Sequence, residues 1–472
     1  MDENLKRSGE RKVRCVVAAL KKLLKKGIDF KESYAGTARW NTVILVIILA
    51  VFYDFSLYLI DIVAFFFHGR LAPGERIYME ALPGQNLPPG FINYVIGSLD
   101  GHPAAAFRAK EKLHATLTRG GLFKQSKYDN CLYCLVHPTE KFWLPVHVDD
   151  MPCAGSPGGL AITVARLRED FKITVQENPG VILGVQVERD RAKRMAKLHQ
   201  GDYVRKLLKK YGMENCNPRD TPTEANFMRQ ARARILGNPD RELLGMESEY
   251  QEQWGELAWL LKTREDLCFF VGMGARFLRC AGPVEMGWLK RVLRYLAHFP
   301  EKGRMIIPGK KLYLHGASDA DWGGEDMSMK STTGAYLALG DSGVVWSCSK
   351  LQKKVADSST AAETYALHEL VKTVIEVHGK LVEMGETVET PVKLKQDNQA
   401  VIKMSEVITA HAGSKHLRIP QAFIHEEVRE GLVKCEKASS DDNGADSYTK
   451  SPARQKFKKD MRESMGPQPG LE

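Results

Sequence analysis

The sequence predicts an α+β fold in more than one domain, closed by a mixed α/β domain of its own. Three observations predict it. In the last third, three strand-like segments (KLYLHGAS, TGAYLALG, GVVWSCS) precede an alternation of helix and strand. Upstream, apolar strand-like runs and a hairpin near 130–150 are interleaved with helical stretches. The 472 residues, 43% hydrophobic and 27% charged, suffice for two to four domains with real cores.

Taken in order, residues 1–40 are basic and end in the turn-like Tyr34-Ala-Gly-Thr-Ala. Val43–Tyr53 (VILVIILAVFY) is an apolar run of 11 residues. A membrane span needs about 20, and Asp54 and Asp61 interrupt any continuation, so a buried core helix is expected, then a strand carrying Asp61. Residues 71–105, rich in Pro and Gly, read as loop. Residues 106–120 read as helix. CLYCLV, a turn at His137-Pro-Thr-Glu-Lys, and FWLPVHV form the hairpin, with Asp149 and Asp150 at the far end of its second strand. A Gly/Pro break at 155–159 leads to a helix and the short strands FKITV and VILGVQVER. Helices at 201–212 and 252–298 flank a polar region rich in breakers. Beyond the three strands of the last third come a helix at 359–384, the strand PVKLKQ, helices at 398–406 and 420–430, the strand LVKCEKA and a final helix.

The net charge of +10 and pI near 9.0 favour a polyanionic partner such as nucleic acid. Nine scattered cysteines argue against a secreted disulfide scaffold and for a reducing compartment, cytoplasmic or nuclear. Cys131-Leu-Tyr-Cys134 lies in a strand-like run, where residues three apart face opposite ways, so both read as core rather than zinc ligands. The basic opening shows no signal-peptide pattern, and no membrane partner is expected.

Acids carry the chemistry. Asp149 and Asp150 sit in an apolar run with no base beside them. Buried carboxylates without partners cost several kcal/mol unless a proton or a cation joins them. Asp61 also ends an apolar strand, so the three could hold two divalent cations for phosphoryl transfer; the alternative is a solvated Asp-Asp turn. A second set falls at the ends of separate elements: Asp319, Glu363, Asp397 and Asp446. Their alternatives are local. Thr360-Ala-Ala-Glu363 spells a capping box, Asp446 could cap a helix, and Asp321 competes with Asp319.

Several blocks occur in a fixed order: 26-KGIDFKESYAGTARW-40, 57-LYLIDIVAFFFHGRLAPGERIYME-80, 123-FKQSKYDNCLY-133, HVDD at 147–150, 179-PGVILGVQVERD-190 and 288-WLKRVLRYLAHFPEKG-303. SDADW, SST–AE, DNQAVI, SKH and AD–TK follow. Together they resemble the reverse transcriptase and ribonuclease H region of copia-type LTR retrotransposon Pol polyproteins. The resemblance implies a right-hand polymerase: truncated fingers and palm over 1–199, a helical thumb or connection over 200–305, then a ribonuclease H-like domain over 306–472. It implies RNA-directed DNA polymerase and ribonuclease H activities, with two Mg²⁺ per site and Mn²⁺ as a substitute. The implied partners are an RNA template, a DNA primer, RNA–DNA hybrid and dNTPs.

Carried over by position, Asp61 and Asp149 would hold the polymerase metals with Asp150 beside them, and Asp319, Glu363, Asp397 and Asp446 those of ribonuclease H. Phe66 would stand against a ribose 2′-hydroxyl, or simply pack in the core. Lys12 and Arg14 would grip the triphosphate, or form a solvated basic face. His147 stands where the family has an aromatic before Val-Asp-Asp. Lys415, His416 and Arg418 would meet substrate. The chain departs from the family at His147, at Pro152, at Val63-Ala64, and in 96-IGSLDGHPAAAF-107, which lacks a Trp. These departures imply an alternative: a degenerate remnant, polymerase-dead, binding hybrid with or without residual RNA cleavage.

Overall fold

The computed structural model describes residues 2–5, 11–14, 32–71, 77–81, 84–99, 101–238, 242–325, 328–407 and 417–468. It divides into two compact units, Met1–Ile47 with Phe55–Pro179 and Ile48–Asp54 with Gly180–Glu472.

In the first unit, β1 (Asp2–Leu5) and β2 (Arg11–Arg14) pair antiparallel. Then come α1 (Trp40–Phe52), β3 (Ser56–Ile62), β4 (Ile77–Met79), β5 (Asn93–Val95), α2 (Ala105–Thr118) and β6 (Phe123–Gln125). They are followed by β7 (Leu132–Leu135), β8 (Phe142–Pro145), β9 (Asp150–Gly155), α3 (Pro157–Arg168) and β10 (Ile173–Glu177). The main sheet runs β10-β3-β9-β8-β7-β6. Alternation decides its faces. Tyr58, Ile60 and Ile62 of β3 and Met151 and Cys153 of β9 join Leu113 and Leu117 of α2 and Leu167 of α3 in one cluster. Asp61 and Asp150 fall on the other face.

Helix α1 begins in the first unit and ends in the second. Every residue from Val43 to Val51 is at most 1% exposed, as an all-round apolar helix requires. No described helix is long and apolar enough to cross a membrane. Asp129 anchors the start of α1: it accepts from Arg39 N at 3.0 Å, Thr42 Oγ1 at 2.6 Å and Cys131 N at 3.0 Å. Asp129→Ala strands these buried donors and is expected to cost about 2 kcal/mol in urea unfolding; a change below ~0.5 kcal/mol would show that the anchor is dispensable.

The hairpin differs from the reading above in one respect. Asp150 does not end the second strand but opens a third, β9, which inserts between β3 and β8. Pro152 sits within it, opposite Leu59. The β8–β9 ladder is made only at Trp143–Ala154 and Phe142–Gly155, so the proline lies beyond its end.

The second unit opens with β11 (Val181–Ile182), β12 (Val185–Asp190), β13 (Met195–His199), α4 (Gly201–Lys210), α5 (Phe227–Gly237), α6 (Glu247–Trp259), α7 (Cys268–Gly274) and α8 (Pro283–His298). Then follow β14 (Arg304–Ile306), β15 (Tyr313–Glu325), β16 (Lys330–Leu339), β17 (Val344–Leu351), α9 (Ser359–Glu383), β18 (Glu389–Gln396), α10 (Gln399–Glu406), α11 (Arg418–Arg429), β19 (Val433–Lys437) and α12 (Arg454–Met465). One sheet runs β11-β12-β13-β14; the larger runs β17-β16-β15-β18-β19, with β15–β18 and β18–β19 parallel. Helix α9 covers this sheet through Leu367, Leu370, Val371, Val374 and Val377, all fully buried at helical spacing. Phe227, Phe270, Trp288 and Tyr295 share a core with Tyr336, Val344 and Tyr448, so the helices and the larger sheet fold around common contacts.

An ionic group is sealed into this unit. Arg264, 1% exposed, grips Asp266 through Nε to Oδ1 at 3.0 Å and Oδ2 at 3.3 Å, and through Nη2 to Oδ2 at 2.9 Å. Tyr295 OH donates to Asp266 Oδ2 at 2.5 Å, and Lys302 Nζ lies 3.4 Å from the same oxygen. Beside them, Arg304 pairs with buried Glu265.

Candidate active sites

Asp319, Glu363 and Asp397 converge at one end of the five-stranded sheet. Each offers a carboxylate oxygen, and those atoms lie within 4.8 Å of one another. Asp319 was expected to end a strand but stands in the middle of central β15, which continues to Glu325; Asp397 follows the last residue of neighbouring β18, and Glu363 comes from α9. Asp319 faces Gly334 of β16 in the antiparallel register. A Cβ at Gly334 would meet Thr449 Cγ2 at 2.6 Å, so the glycine makes room for the turn carrying Thr449.

The capping-box reading of Glu363 does not hold. The N-cap of α9 is Ser358, whose side chain accepts from Ala361 N, and Glu363 lies a turn inside. Its Oε1 instead accepts from Ala320 N at 3.1 Å, and its Oε2 faces Gln396 Nε2 at 3.5 Å. Fully buried Gln396 also donates to Ser318 Oγ at 3.3 Å and accepts from Asp397 N at 2.8 Å. It thus braces two of the acids. Thr449 Oγ1 donates to Asp319 Oδ2. Sequence reasoning gave neither residue a role, although Gln396 immediately precedes the quoted DNQAVI and Thr449 is the threonine of AD–TK.

Asp446 was expected to open the last helix. It lies instead in a short 3₁₀ turn, Gly444–Tyr448, capped by Asn443. It is 3% exposed and is held by Lys450 at 2.8 Å and Lys456 at 3.5 Å, outside the converging trio.

Burial dominates the electrostatics. It drives the Asp319 carboxyl up to about 6, against the Thr449 hydrogen bond and with the negative charge of Asp446 adding to it. Burial, then the charges of Asp319 and Asp397, push Glu363 up to about 9. All-oxygen donors whose ionised forms are this disfavoured fit a hard divalent cation, which supplies the missing positive charge.

In the first unit, Asp61 and Asp150 stand directly opposite in the β3–β9 register. Asp149 precedes them in the turn, and its carbonyl accepts from Ile62 N at 3.1 Å. The turn is closed by reciprocal bonds between His147 and Asp150, at 2.8 and 3.1 Å. Val148 at its corner has φ +61°, a strained conformation for a β-branched residue. Burial, then the charges of Asp149 and Asp61, raise the Asp150 carboxyl above its ordinary range. The three acids are thus neighbours, but among the described residues only the Asp319 trio closes to within 4.8 Å.

Phe66 lies in a 3₁₀ turn, Phe65–His68, just past β3; it is half-buried and packs on the first unit's core, its ring 5.8 Å from that of Phe65. His147 is half-buried at the base of the Val148 turn. Lys12 and Arg14 fall on β2, with their side chains outside what is described, and Lys415 and His416 lie outside the described residues. Arg418 begins α11.

Residues 1–225 match the family model described as reverse transcriptase (RNA-dependent DNA polymerase). The chain is 29% identical over 463 residues to the retrovirus-related Pol polyprotein from transposon TNT 1-94 of Nicotiana tabacum, covering 94% of this chain and 33% of that protein. It is 29% identical over 443 residues to the corresponding polyprotein from transposon RE1 of Arabidopsis thaliana, covering 91% and 29%. The chain thus spans about a third of the length of these relatives. Among solved structures, the foamy viral protease–reverse transcriptase in complex with double-stranded DNA is matched at TM-score 0.45 and 11% identity, covering 93% of this chain and 64% of that one.

Proposed function

We propose, from the premise that this chain is related over most of its length to copia-type retrotransposon Pol polyproteins, that it joins an RNA-directed DNA polymerase to a ribonuclease H. In this reading the palm occupies the first part to about 199, the thumb or connection 200–305, and the hydrolytic domain 306–472. The observation that supports it best is the convergence of Asp319, Glu363 and Asp397 within 4.8 Å.

Those three acids, with Asp446, would hold divalent cations, Mg²⁺ or Mn²⁺ in its place. When bound, the cations supply Lewis acidity and a hydroxide-like water at neutral pH. The chain's own residues do the positioning. The middle of β15 fixes Asp319 and the end of β18 fixes Asp397, Gln396 braces Glu363 against Ser318, and Thr449 orients the Asp319 carboxylate. The net charge of +10 draws the phosphates of an RNA–DNA hybrid. In the palm, Asp61, Asp149 and Asp150 would serve primer extension on an RNA template from dNTPs.

One observation favours the polymerase-dead alternative: the palm acids do not close as the Asp319 trio does. Two assays on the purified chain separate the readings. Labelled RNA in an RNA–DNA hybrid is expected to be cut with Mg²⁺ or Mn²⁺ and spared in EDTA. Extension of a primed RNA template then decides whether the polymerase is alive. Intact hybrid RNA under both cations would end the hydrolytic reading.

A further inference from the structure

Two consecutive residues beyond Asp446 serve the acid cluster. Thr449 donates its hydroxyl to Asp319. Lys450, the next residue, places its ammonium 2.8 Å from Asp446 Oδ1. Its charge is also felt by Asp319, and its own electrostatic partners include Asp319, Asp446 and Asp397. The backbone sets this up: Lys450 N donates to Asp446 O at 3.0 Å, so the two side chains stand one turn apart on one face. The carboxylate is sealed, at 4% side-chain exposure, whereas 48% of the lysine side chain reaches solvent. The lysine stem therefore runs from water into the site.

We propose that Lys450 is a built-in counter-cation of this centre: without metal its ammonium balances Asp446, and it swings out to solvent when a divalent cation takes that charge over. The proposal rests on the hydrolytic reading above. Lys456 is not equivalent. It lies farther from Asp446, at 3.5 Å, and is tied down by Asp460 at 3.3 Å and by the carbonyls of Ser440 at 3.1 Å and Asp441 at 3.3 Å. Among the described residues the ion pair of Lys450 is with Asp446 alone, and no carbonyl ties it down as Ser440 and Asp441 tie Lys456. An ammonium left within a few ångströms of the cations would repel them strongly in so sheltered a site. Displacement relieves that repulsion, and the competition raises the metal concentration the centre needs.

Calorimetric titration of the full chain with Mg²⁺ tests this. Lys450→Gln is expected to bind Mg²⁺ about fivefold more tightly, the scale of one partly exposed ion pair. It is also expected to melt lower than wild type in EDTA but level with it at saturating Mg²⁺. Lys450→Arg, which keeps the charge, is expected to keep the wild-type affinity. A lysine of purely structural value would leave metal binding unchanged or weaken it, so equal or weaker binding by Lys450→Gln overturns the proposal. Should that variant not fold, the wild-type chain answers: its Lys450 ¹⁵Nζ resonance, assigned by its loss in Lys450→Arg, is expected to shift on adding Mg²⁺, and a static resonance overturns the proposal. If Asp319→Asn binds Mg²⁺ as wild type does, the metal reading of the centre has failed and takes the lysine's role with it.

Discussion

Exchanging Asp397 for asparagine is expected to lower RNA cleavage by roughly 10²–10³-fold, the cost of removing one electrostatic partner of a transition state, while raising the melting temperature in EDTA. The second half of that result is the more telling. Asp319 and Glu363 are buried beside Asp397, and its charge helps to push both carboxyls upward, to about 6 and about 9. A raised carboxyl keeps its proton in the folded chain after the unfolded chain has lost it. The stability this brings is complete below about pH 4 and drains away as pH rises through 6 and then 9. Without metal, the melting temperature of the wild type should therefore fall from pH 5 to pH 9. Mg²⁺ requires the ionised acids, so its stabilising effect should grow over the same interval. Asp397→Asn keeps an oxygen to accept from Ser440 Oγ, now at 3.2 Å, and removes a like charge. It should flatten the pH dependence and abolish the response to Mg²⁺. A variant that cleaves normally, or melts lower than wild type in EDTA, would contradict the account of these acids as mutually repelling metal ligands.

Asp266→Asn is expected to destabilise the second unit by about 3–5 kcal/mol, the scale for breaking a buried pair. Arg264 and Lys302 would remain buried with no charge to answer theirs. Burial alone would raise the Asp266 carboxyl, but Arg264 and Lys302 outweigh it and hold the group well below its ordinary range. That stability is present above the unfolded value, near pH 4, and is lost as pH falls. Urea titration at pH 7 measures the loss directly, and the difference from wild type should shrink toward pH 3. A loss under about 1 kcal/mol at pH 7 would mean that water or another anion reaches Arg264.

The larger sheet was the most legible part of the sequence. KLYLHGAS, TGAYLALG and GVVWSCS are short apolar runs punctuated by glycine and polar residues, β16 being buried on both faces, and the strands and helices after them fall where the pattern puts them. Asp397 was readable because it follows a strand's end, whereas Asp319, expected at a strand end, lies in the middle of the long β15, which pairs on to Glu325. Glu363 and Asp446 were harder. The capping-box spelling at Thr360 is a local signal, and the true cap lies two residues earlier, at Ser358. In the first unit, Pro152 falls within a strand, because a proline past the end of the β8–β9 ladder costs that ladder nothing. The Arg264–Asp266 group was illegible: three charged residues in a row read as surface, and only the packing of α8 and Lys302 around them makes an interior.

The order of the residues around Asp319 bears on how the protein is made. Thr449 and Lys450 leave the ribosome about 130 residues after Asp319, which at ordinary elongation rates is on the order of ten seconds later. Through that interval the nascent chain holds carboxylates that lack their hydroxyl donor and their ammonium. A growing polypeptide still tethered to its own message is thus kept from having a finished acid cluster until translation has passed that turn.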